Sequence, residues 1–550
     1  MAQATAAPTS SVETRASWLP LIVVVLTQIQ ASFAVNALTV SMGGITTDLD
    51  TPATSVGTAI TASTFAMAAF ILLGAKLGAK FGTRLVFQIA VVVHGIAMLM
   101  VALSVSPAML FIAQAASGAV IALISPALVV FIATNFKGKQ QAQAIGFLAA
   151  AIPAAGVLAL LIAGAFASTI GWRFSFLLIV ALAVVNLLLS FRLKKVPAMP
   201  SVQIDGIGAL LASVTVILLS FGFSGLNSWG VLLATANAPF SVLGLSPAPI
   251  LIVLGLIGAQ LFFAWTRKRK AEGKPQLFDL DVLKNPSDKA TTLAMASMLF
   301  IGTAANFLIP LYLQIVQGRT SFETSIAVIP YTLSIFVASS VVAGLYSRFA
   351  PRNIARVGFL VVAFGLILLA FTIRNEWEQF FVVVGLIILG LGQGAIVALV
   401  FNTLLASSPK ELAGDVGAWR GLVHNLSGSV GIAVASVFAV TMLSTFVTLG
   451  IANNDEKLPP ELTSQVNLNN VDFITNDRLD DVLSQTTATP EQVDAAVAVN
   501  EEARLQALKI SLLALASIAL LATIPAGRMP GFTPGDIPEE LSTGKPTSDA

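Results

Sequence analysis

Charged residues are scarce in this sequence of 550 amino acids, since only 11% are Asp, Glu, Lys or Arg while 56% are hydrophobic. Soluble domains carry about 25% charged residues, so a water-soluble fold of this length would have too little polar surface to cover itself. The apolar residues also come in blocks of about 20, the length that crosses a hydrocarbon core of about 30 Å. The composition therefore excludes a soluble globular protein and indicates a polytopic membrane protein.

Cysteine is absent and histidine occurs only twice. The lack of cysteine excludes disulfides, thiolate metal sites and cysteine nucleophiles. The sequence also has no metal-spaced histidines, no acidic pair inside an apolar block and no phosphate-binding loop. A net charge of +2 is too small to indicate a nucleic-acid partner. We therefore expect neither an enzyme nor a bound metal or cofactor.

Fourteen apolar blocks are long enough to cross a membrane, and they must be helices because backbone groups in lipid have to bond within their own segment. The first is too long for a signal-peptide core and lacks a clear cleavage site, so we interpret it as a retained membrane helix. The blocks lie near residues 18–41, 55–75, 86–104, 107–134, 141–168, 174–191, 206–224, 248–266, 290–314, 323–346, 354–373, 379–406, 416–447 and 506–526.

Basic residues follow the even-numbered blocks, as expected when the N-terminus lies in the cytoplasm. They are Lys76, Lys80 and Arg84 after the second block, Lys137 and Lys139 after the fourth, Arg192, Lys194 and Lys195 after the sixth, Arg267, Lys268, Arg269, Lys270 and Lys274 after the eighth, and Arg348 and Arg352 after the tenth. One helix too many or too few would invert this pattern. We therefore predict 14 helices in a cytoplasmic (inner) membrane, with both termini cytoplasmic.

The longest polar connection, 451–504, carries eleven acidic and three basic residues. Our main interpretation is a solvated external loop. The alternative is a small hairpin or cap, for which Thr489-Pro490-Glu491-Gln492 has the pattern of a helix start. The tail after Arg528 is rich in Pro, Gly and Glu, and we expect it to be disordered.

Four short motifs stand at the ends of predicted helices. They are Gly171-Trp172-Arg173-Phe174-Ser175-Phe176, Ile204-Asp205-Gly206-Ile207-Gly208-Ala209-Leu210-Leu211, Pro310-Leu311-Tyr312-Leu313-Gln314-Ile315-Val316-Gln317-Gly318, and Ala413-Gly414-Asp415-Val416-Gly417 followed by Gly428-Ser429-Val430-Gly431. In this order, the motifs resemble those of the major facilitator superfamily, in its 14-helix drug:proton antiporter branch. The resemblance extends over roughly residues 18–526.

The resemblance implies an all-α membrane protein with the major facilitator fold, in which two helices are inserted between two six-helix bundles. The implied parts are a cytoplasmic tail (1–17), an N-terminal bundle (18–191), the inserted helices with a basic linker (192–289), a C-terminal bundle (290–526) that includes the acidic loop 449–504, and a second tail (527–550). In such transporters the two halves rock about a central site.

Two loops repeat one another in degenerate form, Leu77 to Arg84 after helix 2 and Leu345 to Arg352 after helix 10. The resemblance implies that they act as gating loops. The basic and glycine positions that would carry this role are Lys80, Gly82, Arg84, Arg348 and Arg352.

The sequence departs from this family at its charged positions. Ala79 stands where the loop after helix 2 normally has aspartate, Ala31 replaces the aspartate of helix 1, and Gln114 replaces the arginine of helix 4. None of the 28 acidic residues is predicted in the middle of a membrane helix. Proton relays and cation sites in membranes usually need such a carboxylate. We therefore expect neither the usual proton coupling nor a preference for cationic drugs, and we leave protons open as a partner.

Helix 13 contains the strongest remaining candidates, Trp419, Arg420, His424 and Asn425. Arg420 and His424 are one turn apart and therefore share a face, and ionisable residues inside a membrane are functional candidates by default. Alternatively, Arg420 extends to the membrane surface or pairs with Asp415, and His424 is structural. We interpret the other histidine, His94 in helix 3, as structural.

Uncharged polar residues lie at depths suited to a central cavity: Gln30, Asn36, Gln114, Asn306, Tyr312, Tyr331, Gln393 and Asn402. Each could simply bond a neighbouring helix, but together they predict a mostly apolar cavity with neutral hydrogen-bonding points. We predict a monomeric secondary transporter, surrounded by membrane lipid, that exports hydrophobic or amphiphilic small molecules such as drugs or lipid-like metabolites. The alternatives are an uncoupled facilitator and a receptor or scaffold that has lost transport.

Overall fold

The computed structural model describes residues 17–531, apart from gaps at 52, 236–237, 320, 346–347, 376–378, 454–457, 459–478, 481–482 and 484–488. In this part of the chain, thirteen helices are long and apolar enough to cross a membrane. A shorter apolar helix, Ile329–Val342, lies where the tenth was predicted. Each of the 14 predicted helices therefore corresponds to a helix of the structure.

We number these helices in chain order. They are α1 (Leu19–Val40), α2 (Ala53–Phe81), α3 (Thr83–Ala102), α4 (Pro107–Asn135), α5 (Gly138–Leu158), α6 (Arg173–Ser190), α7 (Gly206–Trp229), α8 (Pro247–Ala271), α9 (Pro286–Leu311), α10 (Ile329–Leu345), α11 (Pro351–Thr372), α12 (Gln379–Ala406), α13 (Ala413–Ala452) and α14 (Pro490–Ala526). The connections contain the short helices Met42–Asp48, Gly164–Thr169, Ser321–Ala327, Leu280–Leu283 and Lys410–Leu412. π-helical turns, Ala159–Ala163 and Tyr312–Val316, follow α5 and α9.

The first six helices and the last six form two bundles, as the resemblance implied. Within the first, α2 packs on α4, α3 on α4 and α6, and α1 on α5 and α6. Within the second, α12 packs on α10 and α11, and α9, α13 and α14 pack on one another. The bundles meet where α5 lies against α10 and where α13 lies against α2 and α4. The inserted pair α7–α8 packs beside this second contact, with α7 against both α2 and α13.

Small residues allow the helices to approach closely, as is usual in membrane bundles. A Cβ on Gly74 of α2 would lie 2.5 Å from the carbonyl oxygen of Ala122 on α4. A Cβ on Gly365 of α11 would lie 2.7 Å from the backbone nitrogen of Leu389 on α12. Glycine at these two positions is therefore a packing requirement within each bundle.

The predicted tenth block, 323–346, is two helices rather than one, because Ser321–Ala327 and α10 are separate. Pro330 follows the break, and proline has no backbone N–H with which to continue the helical ladder. The apolar composition of the block does not reveal this interruption.

Helices α13 and α14, with 40 and 37 residues, are longer than predicted. At about 1.5 Å per residue they extend for roughly 60 and 55 Å, about twice the hydrocarbon core. The helix start at Thr489 is confirmed, since Thr489 and Gln492 form a capping box. Residues 490–504 are therefore helical, and their interpretation as loop was wrong. Ala503 and Leu443 are buried together where the two helices pack.

The Gly-Trp-Arg motif closes the end of the first bundle where α6 begins. The indole N–H of Trp172 donates to Asp48 at 2.8 Å, and the guanidinium of Arg173 pairs with the same carboxylate. Arg173 also donates to the carbonyl of Ser104 at 3.0 Å, after α3. The Trp172 hydrogen bond, followed by that of Arg173 and its charge, lowers the pKa of Asp48 despite some desolvation. Asp48 and Arg173 together thus join three connections outside the membrane segments.

The Asp-x-x-Gly motif fixes the start of α7. Asp205 caps the helix by accepting from the backbone N–H of Gly208 at 3.0 Å, and it also accepts from the indole N–H of Trp265 on α8 at 3.0 Å. A Cβ at position 208 would overlap the capping carboxylate. The motif therefore serves as a helix cap that ties α7 to α8.

We call the end of the bundle that carries the α2–α3, α4–α5, α6–α7, α8–α9 and α10–α11 connections the basic end. These connections and the helix ends beside them contain the basic residues that follow the even-numbered helices.

Candidate functional site

The first three turns of α13 lie directly against the N-terminal bundle. Gly414, Gly417 and Gly421 recur at helical spacing and face α2 and α4. A Cβ on Gly417 would lie 2.9 Å from the Val129 side chain, and one on Gly421 would overlap the side chain of Ile71. The two halves are therefore in tight contact at the basic end.

An ion pair joins the two halves at the same level. Lys76 Nζ of α2 lies 2.9 Å from Asp415 Oδ2 of α13, and the exposed fractions of the two side chains are 16% and 6%. Asp415 also accepts from the backbone N–H of Asp279 in the α8–α9 connection at 3.3 Å. Asp415 thus binds Lys76 rather than Arg420, the alternative partner considered from the sequence.

Trp419 faces the α8–α9 connection. Its ring stacks on Phe278 with centroids 5.0 Å apart and an interplanar angle of 23°, and it meets Phe263 of α8 edge-on at 6.5 Å. Its indole N–H donates to Thr292 Oγ1 of α9 at 3.3 Å. The indole therefore anchors the connection that also binds Asp415.

Arg420 lies in the C-terminal bundle, where its guanidinium carbon is 4.6 Å from the ring centroid of Phe401 on α12. It comes seven positions after Ala413, the first residue of the helix, so it lies about 10 Å into α13. Among the described residues, no carboxylate forms an ion pair with it. An arginine at this depth has to be compensated by aromatic faces, polar groups, water or an anionic ligand.

His424 and Asn425 follow Gly421 by one turn of α13. Both are half-buried, and the Asn425 amide donates to the Gly421 carbonyl of its own helix at 2.8 Å. His424 shares a face with Arg420 because they are four residues apart. Arg420 thus lies between the last two glycines that face the N-terminal bundle, and His424 and Asn425 lie just beyond them.

Gln30 bonds inside the N-terminal bundle. Its amide nitrogen donates to His94 Nδ1 at 2.8 Å, and its amide oxygen accepts from Asn186 Nδ2 at 2.7 Å. All three side chains are at most 1% exposed. The network links α1, α3 and α6, which supports the interpretation of His94 as a structural residue.

Tyr331 and Gln393 form a second buried pair, in which the Tyr331 hydroxyl donates to Gln393 Oε1 at 2.7 Å. Gln393 Nε2, Gln114 Nε2 and Asn402 Nδ2 are buried donors without a hydrogen-bond partner among the described residues. Unpartnered donors of this kind are costly in an apolar interior. The protein itself therefore leaves these three donors unsatisfied in the part of the chain that the structure describes.

The remaining cavity candidates are dispersed. Asn36 is half-buried and donates to the carbonyl of Ser32 on its own helix at 2.7 Å, and Asn306 is exposed on α9. Tyr312 is buried in the π-helical turn after α9, and its hydroxyl donates to the carbonyl of Arg374 at 3.0 Å. The structure thus joins Tyr331 to Gln393 by a hydrogen bond and places the α13 residues together, while the other candidates lie elsewhere.

The first of the two repeated loops, Leu77 to Arg84, contacts the α6–α7 connection. Gly82 has φ +91° and precedes α3. Arg84 donates to the carbonyls of Phe191 and Leu193, each at 2.7 Å, just after α6. Lys80 lies 5.6 Å from the ring centroid of Phe81. Arg84 therefore closes the C-terminal end of α6 within the first bundle.

The second repeated loop, residues 345–352, has different surroundings. Arg348 and Arg352 are exposed, and a Cβ on Gly531 would lie 3.3 Å from the guanidinium carbon of Arg352. Tyr346 and Ser347 of the repeat lie outside the described residues. Arg352 thus stands beside the segment that follows α14.

The ion pair between Lys76 and Asp415 is the main feature that the sequence analysis did not identify. The presence of Lys76 was attributed to the orientation of the chain in the membrane, and that of Asp415 to the start of a helix. The sequence signal for this ion pair was an acid and a base at the same predicted depth. No sequence signal indicated the stacking of Phe278 on Trp419, because the tertiary fold decides which of several tryptophans a linker phenylalanine meets.

Comparison with known proteins gives a consistent result. The sequence profile of the Major Facilitator Superfamily matches residues 24–432. The "Probable actinorhodin transporter" of Streptomyces coelicolor is 24% identical over 418 residues, which cover 73% of this chain and 68% of that protein. The "Puromycin resistance protein pur8" of Streptomyces alboniger is 25% identical over 445 residues, which cover 78% and 83%.

A similar fold occurs among solved structures. The proton:xylose symporter XylE superposes with a TM-score of 0.57 at 13% sequence identity, covering 92% of this chain and 94% of that one. At this identity, the likeness concerns the fold alone.

Proposed function

Because the chain belongs to the Major Facilitator Superfamily and is a multi-pass membrane transporter of small molecules rather than an enzyme, we propose that it exports neutral or anionic amphiphiles by alternating access. The relatives named for actinorhodin transport and puromycin resistance support efflux as the direction. The positive charge of the basic end supports a cytoplasmic location for that end and for both termini.

The observation that carries the substrate proposal is the charge of the bundle interior. Arg420 lies inside the helices with no ion pair among the described residues, and His424 is beside it. The acidic residues of the described helices lie near helix ends, for example Asp288 and Asp415, or in the projecting part of α14. A cationic drug would meet repulsion and no carboxylate, whereas an anionic or carbonyl-bearing ligand could accept hydrogen bonds from Arg420.

Buried amide donors support the same chemistry. The unpartnered nitrogens of Gln114, Gln393 and Asn402 can donate to ketone, ester or amide oxygens. An apolar interior with a few donors suits amphiphilic molecules that carry several carbonyl groups. The candidate substrate residues are therefore Arg420, His424 and Asn425, followed by these amides.

Alternating access requires that the basic end opens. The contacts that would separate are those of α13 with α2 and α4, including the glycine face and the pair of Lys76 with Asp415. The loops with Lys80, Gly82 and Arg84, and with Arg348 and Arg352, flank this seam and are proposed to move with the two halves.

Reconstituted transport tests the proposal. Proteoliposomes would be loaded with a neutral antibiotic, an anionic dye or ethidium, and export would be followed with and without an imposed pH gradient. We expect transport of the neutral and anionic compounds and little transport of ethidium. Transport of ethidium alone would contradict the substrate proposal.

The same assay separates proton coupling through His424 from uncoupled facilitation. His424→Ala abolishes any acceleration by the pH gradient if the imidazole carries the proton, whereas a wild type indifferent to the gradient indicates a facilitator. Arg420→Gln should weaken transport of the anionic dye at least tenfold, given one lost charge-assisted hydrogen bond of about 1.5–3 kcal/mol. Arg267→Gln, at an exposed position of the basic end, is the matched control. Wild-type transport in both α13 variants would refute the role of α13.

A further inference from the structure

A cavity of about 490 Å³ opens at the basic end between α11 and α14. It lies within the C-terminal bundle and away from the seam between the halves. Its lining consists of Arg356, Leu360, Thr523, Ile524, Gly527 and Arg528. Two arginines and two large aliphatic side chains thus share one small concave surface.

Two glycines at the end of α14 make room for arginines of α11. A Cβ on Gly527 would overlap the guanidinium of Arg356, and one on Gly531 would lie 3.3 Å from the guanidinium carbon of Arg352. Arg352 and Arg356 are one turn apart and therefore share a face of α11. Arg528 lines the cavity together with Arg356, and Arg352 stands beside Gly531 at its edge, so three arginines lie around the C-terminal end of α14.

These arginines have no acidic counterpart in the described part of the chain. None of Arg352, Arg356 and Arg528 forms an ion pair there, and all three are exposed. Three positive charges in one place repel each other, so an anion that binds among them gains from all three.

The outer wall of the cavity is apolar and belongs to the lipid-facing surface. Leu360 and Ile524 are 51% and 55% exposed. Large exposed aliphatic and aromatic side chains continue this surface along both membrane helices, namely Val357, Phe364, Leu520 and Leu521. The cavity thus has a cationic side at the membrane boundary and an apolar side that continues into the hydrocarbon region.

We propose that this cavity is a binding site for an anionic phospholipid. Phosphate oxygens bind to Arg352, Arg356 and Arg528, because guanidinium groups match phosphate in a bidentate geometry. One acyl chain lies along Leu360 and Ile524. Basic pockets between membrane helices are suited to such headgroups, and cardiolipin, with two phosphates, fits three arginines best.

Native mass spectrometry of the full-length protein tests the site. The delipidated protein in detergent is titrated with tetraoleoyl cardiolipin and, separately, with dioleoyl phosphatidylcholine. We expect cardiolipin to bind at least tenfold more tightly than phosphatidylcholine. The variant R352Q/R356Q/R528Q should bind cardiolipin about 100-fold more weakly, on the scale of the attraction per basic residue.

The matched control is R192Q/K194Q/R267Q, which removes three exposed charges from the same end of the protein. It should bind cardiolipin within about twofold of wild type, since its substitutions lie outside the cavity. Equal weakening in both triple variants would overturn the proposal, because it would indicate a general effect of net charge. If the triple glutamine variant does not stay monodisperse, Arg528→Gln alone is expected to bind about fivefold more weakly, and unchanged binding would overturn the site.

The competing occupant is the acidic tail of this chain, which contains Asp536, Glu539 and Glu540. A chain ending at Gly531 distinguishes the two sources of negative charge. We expect its affinity for cardiolipin to stay within about threefold of the full chain, a change of under about 1 kcal/mol. An affinity that rises more than tenfold on truncation, with weak binding by the full chain, would show that the tail occupies the cavity and would overturn the lipid site.

Discussion

Breaking the pair between Lys76 and Asp415 should release the basic end. Asp415→Asn keeps the shape of the side chain and an acceptor for the backbone N–H of Asp279, but it leaves Lys76 without its counter-charge. Removing one partner of a fully buried pair costs about 3–5 kcal/mol. Lys76 is 16% exposed, so water compensates in part, and we expect about 2 kcal/mol.

This loss of free energy increases the fraction of molecules in which the basic end is open, and that fraction can be measured. If the basic end is closed about 99% of the time in the wild type, a loss of about 2 kcal/mol raises the open fraction to about a quarter. The chain has no cysteine, so spin labels can be attached at F81C and F349C without first replacing native cysteines. Both phenylalanines are about half exposed, at 53% and 52%, and they belong to opposite halves.

Pulsed electron spin resonance then reports the distance between the labels. We expect one short distance in the wild type and an additional longer one in Asp415→Asn and in Lys76→Met. The double variant should open no more than the more open single variant, because one interaction is lost in all three. Identical distance distributions in all four proteins, or strictly additive opening, would refute the role of this pair as a latch.

Three further predictions concern stability, measured as the midpoint of thermal unfolding of the solubilised protein. Because the pKa of Asp48 is lowered in the folded protein, its carboxylate stabilises the fold above the unfolded pKa of about 3.9, and this stabilisation is lost as the pH falls through the folded pKa. Asp48→Asn should therefore flatten the pH dependence of the unfolding midpoint below about pH 4. An unchanged slope would contradict this prediction. Gly208→Ala should cost about 1 kcal/mol by displacing the helix cap, whereas Gly206→Ala, where a Cβ meets no atom within 4 Å, should be nearly neutral. Gln30→Leu should cost about 1–3 kcal/mol by leaving His94 and its neighbour unbonded, and a stability equal to wild type would show that the network is dispensable.

The helices were the most predictable part of the fold, because the bilayer imposes a length of about 20 apolar residues and basic residues mark alternate connections. The helix boundaries that were predicted wrongly are those that the thickness of the bilayer does not determine. Pro330 breaks a block that looks continuous in hydropathy, and α14 continues past the membrane because Thr489 caps it and Ala503 packs against α13. Local capping and tertiary packing decide such boundaries.

The candidate site was less predictable. Arg420 and His424 could be selected from the sequence because ionisable residues are rare in membrane helices. The direction in which a neutral side chain points could not be derived from the sequence. Gln30 and Gln393 were therefore assigned to the same predicted cavity, although they form hydrogen bonds within different bundles. The described membrane-spanning segments are apolar over most of their surface, so hydropathy does not distinguish the face toward a neighbouring helix from the face toward a cavity.

Drug accumulation in cells tests the central claim, export of neutral or anionic amphiphiles, most directly. Cells that overproduce the wild type should retain less of a neutral amphiphilic antibiotic than cells with Arg420→Gln at equal membrane abundance. Both strains should accumulate ethidium equally. Unchanged accumulation of every neutral and anionic compound tested, or wild-type export of ethidium alone, would contradict the account.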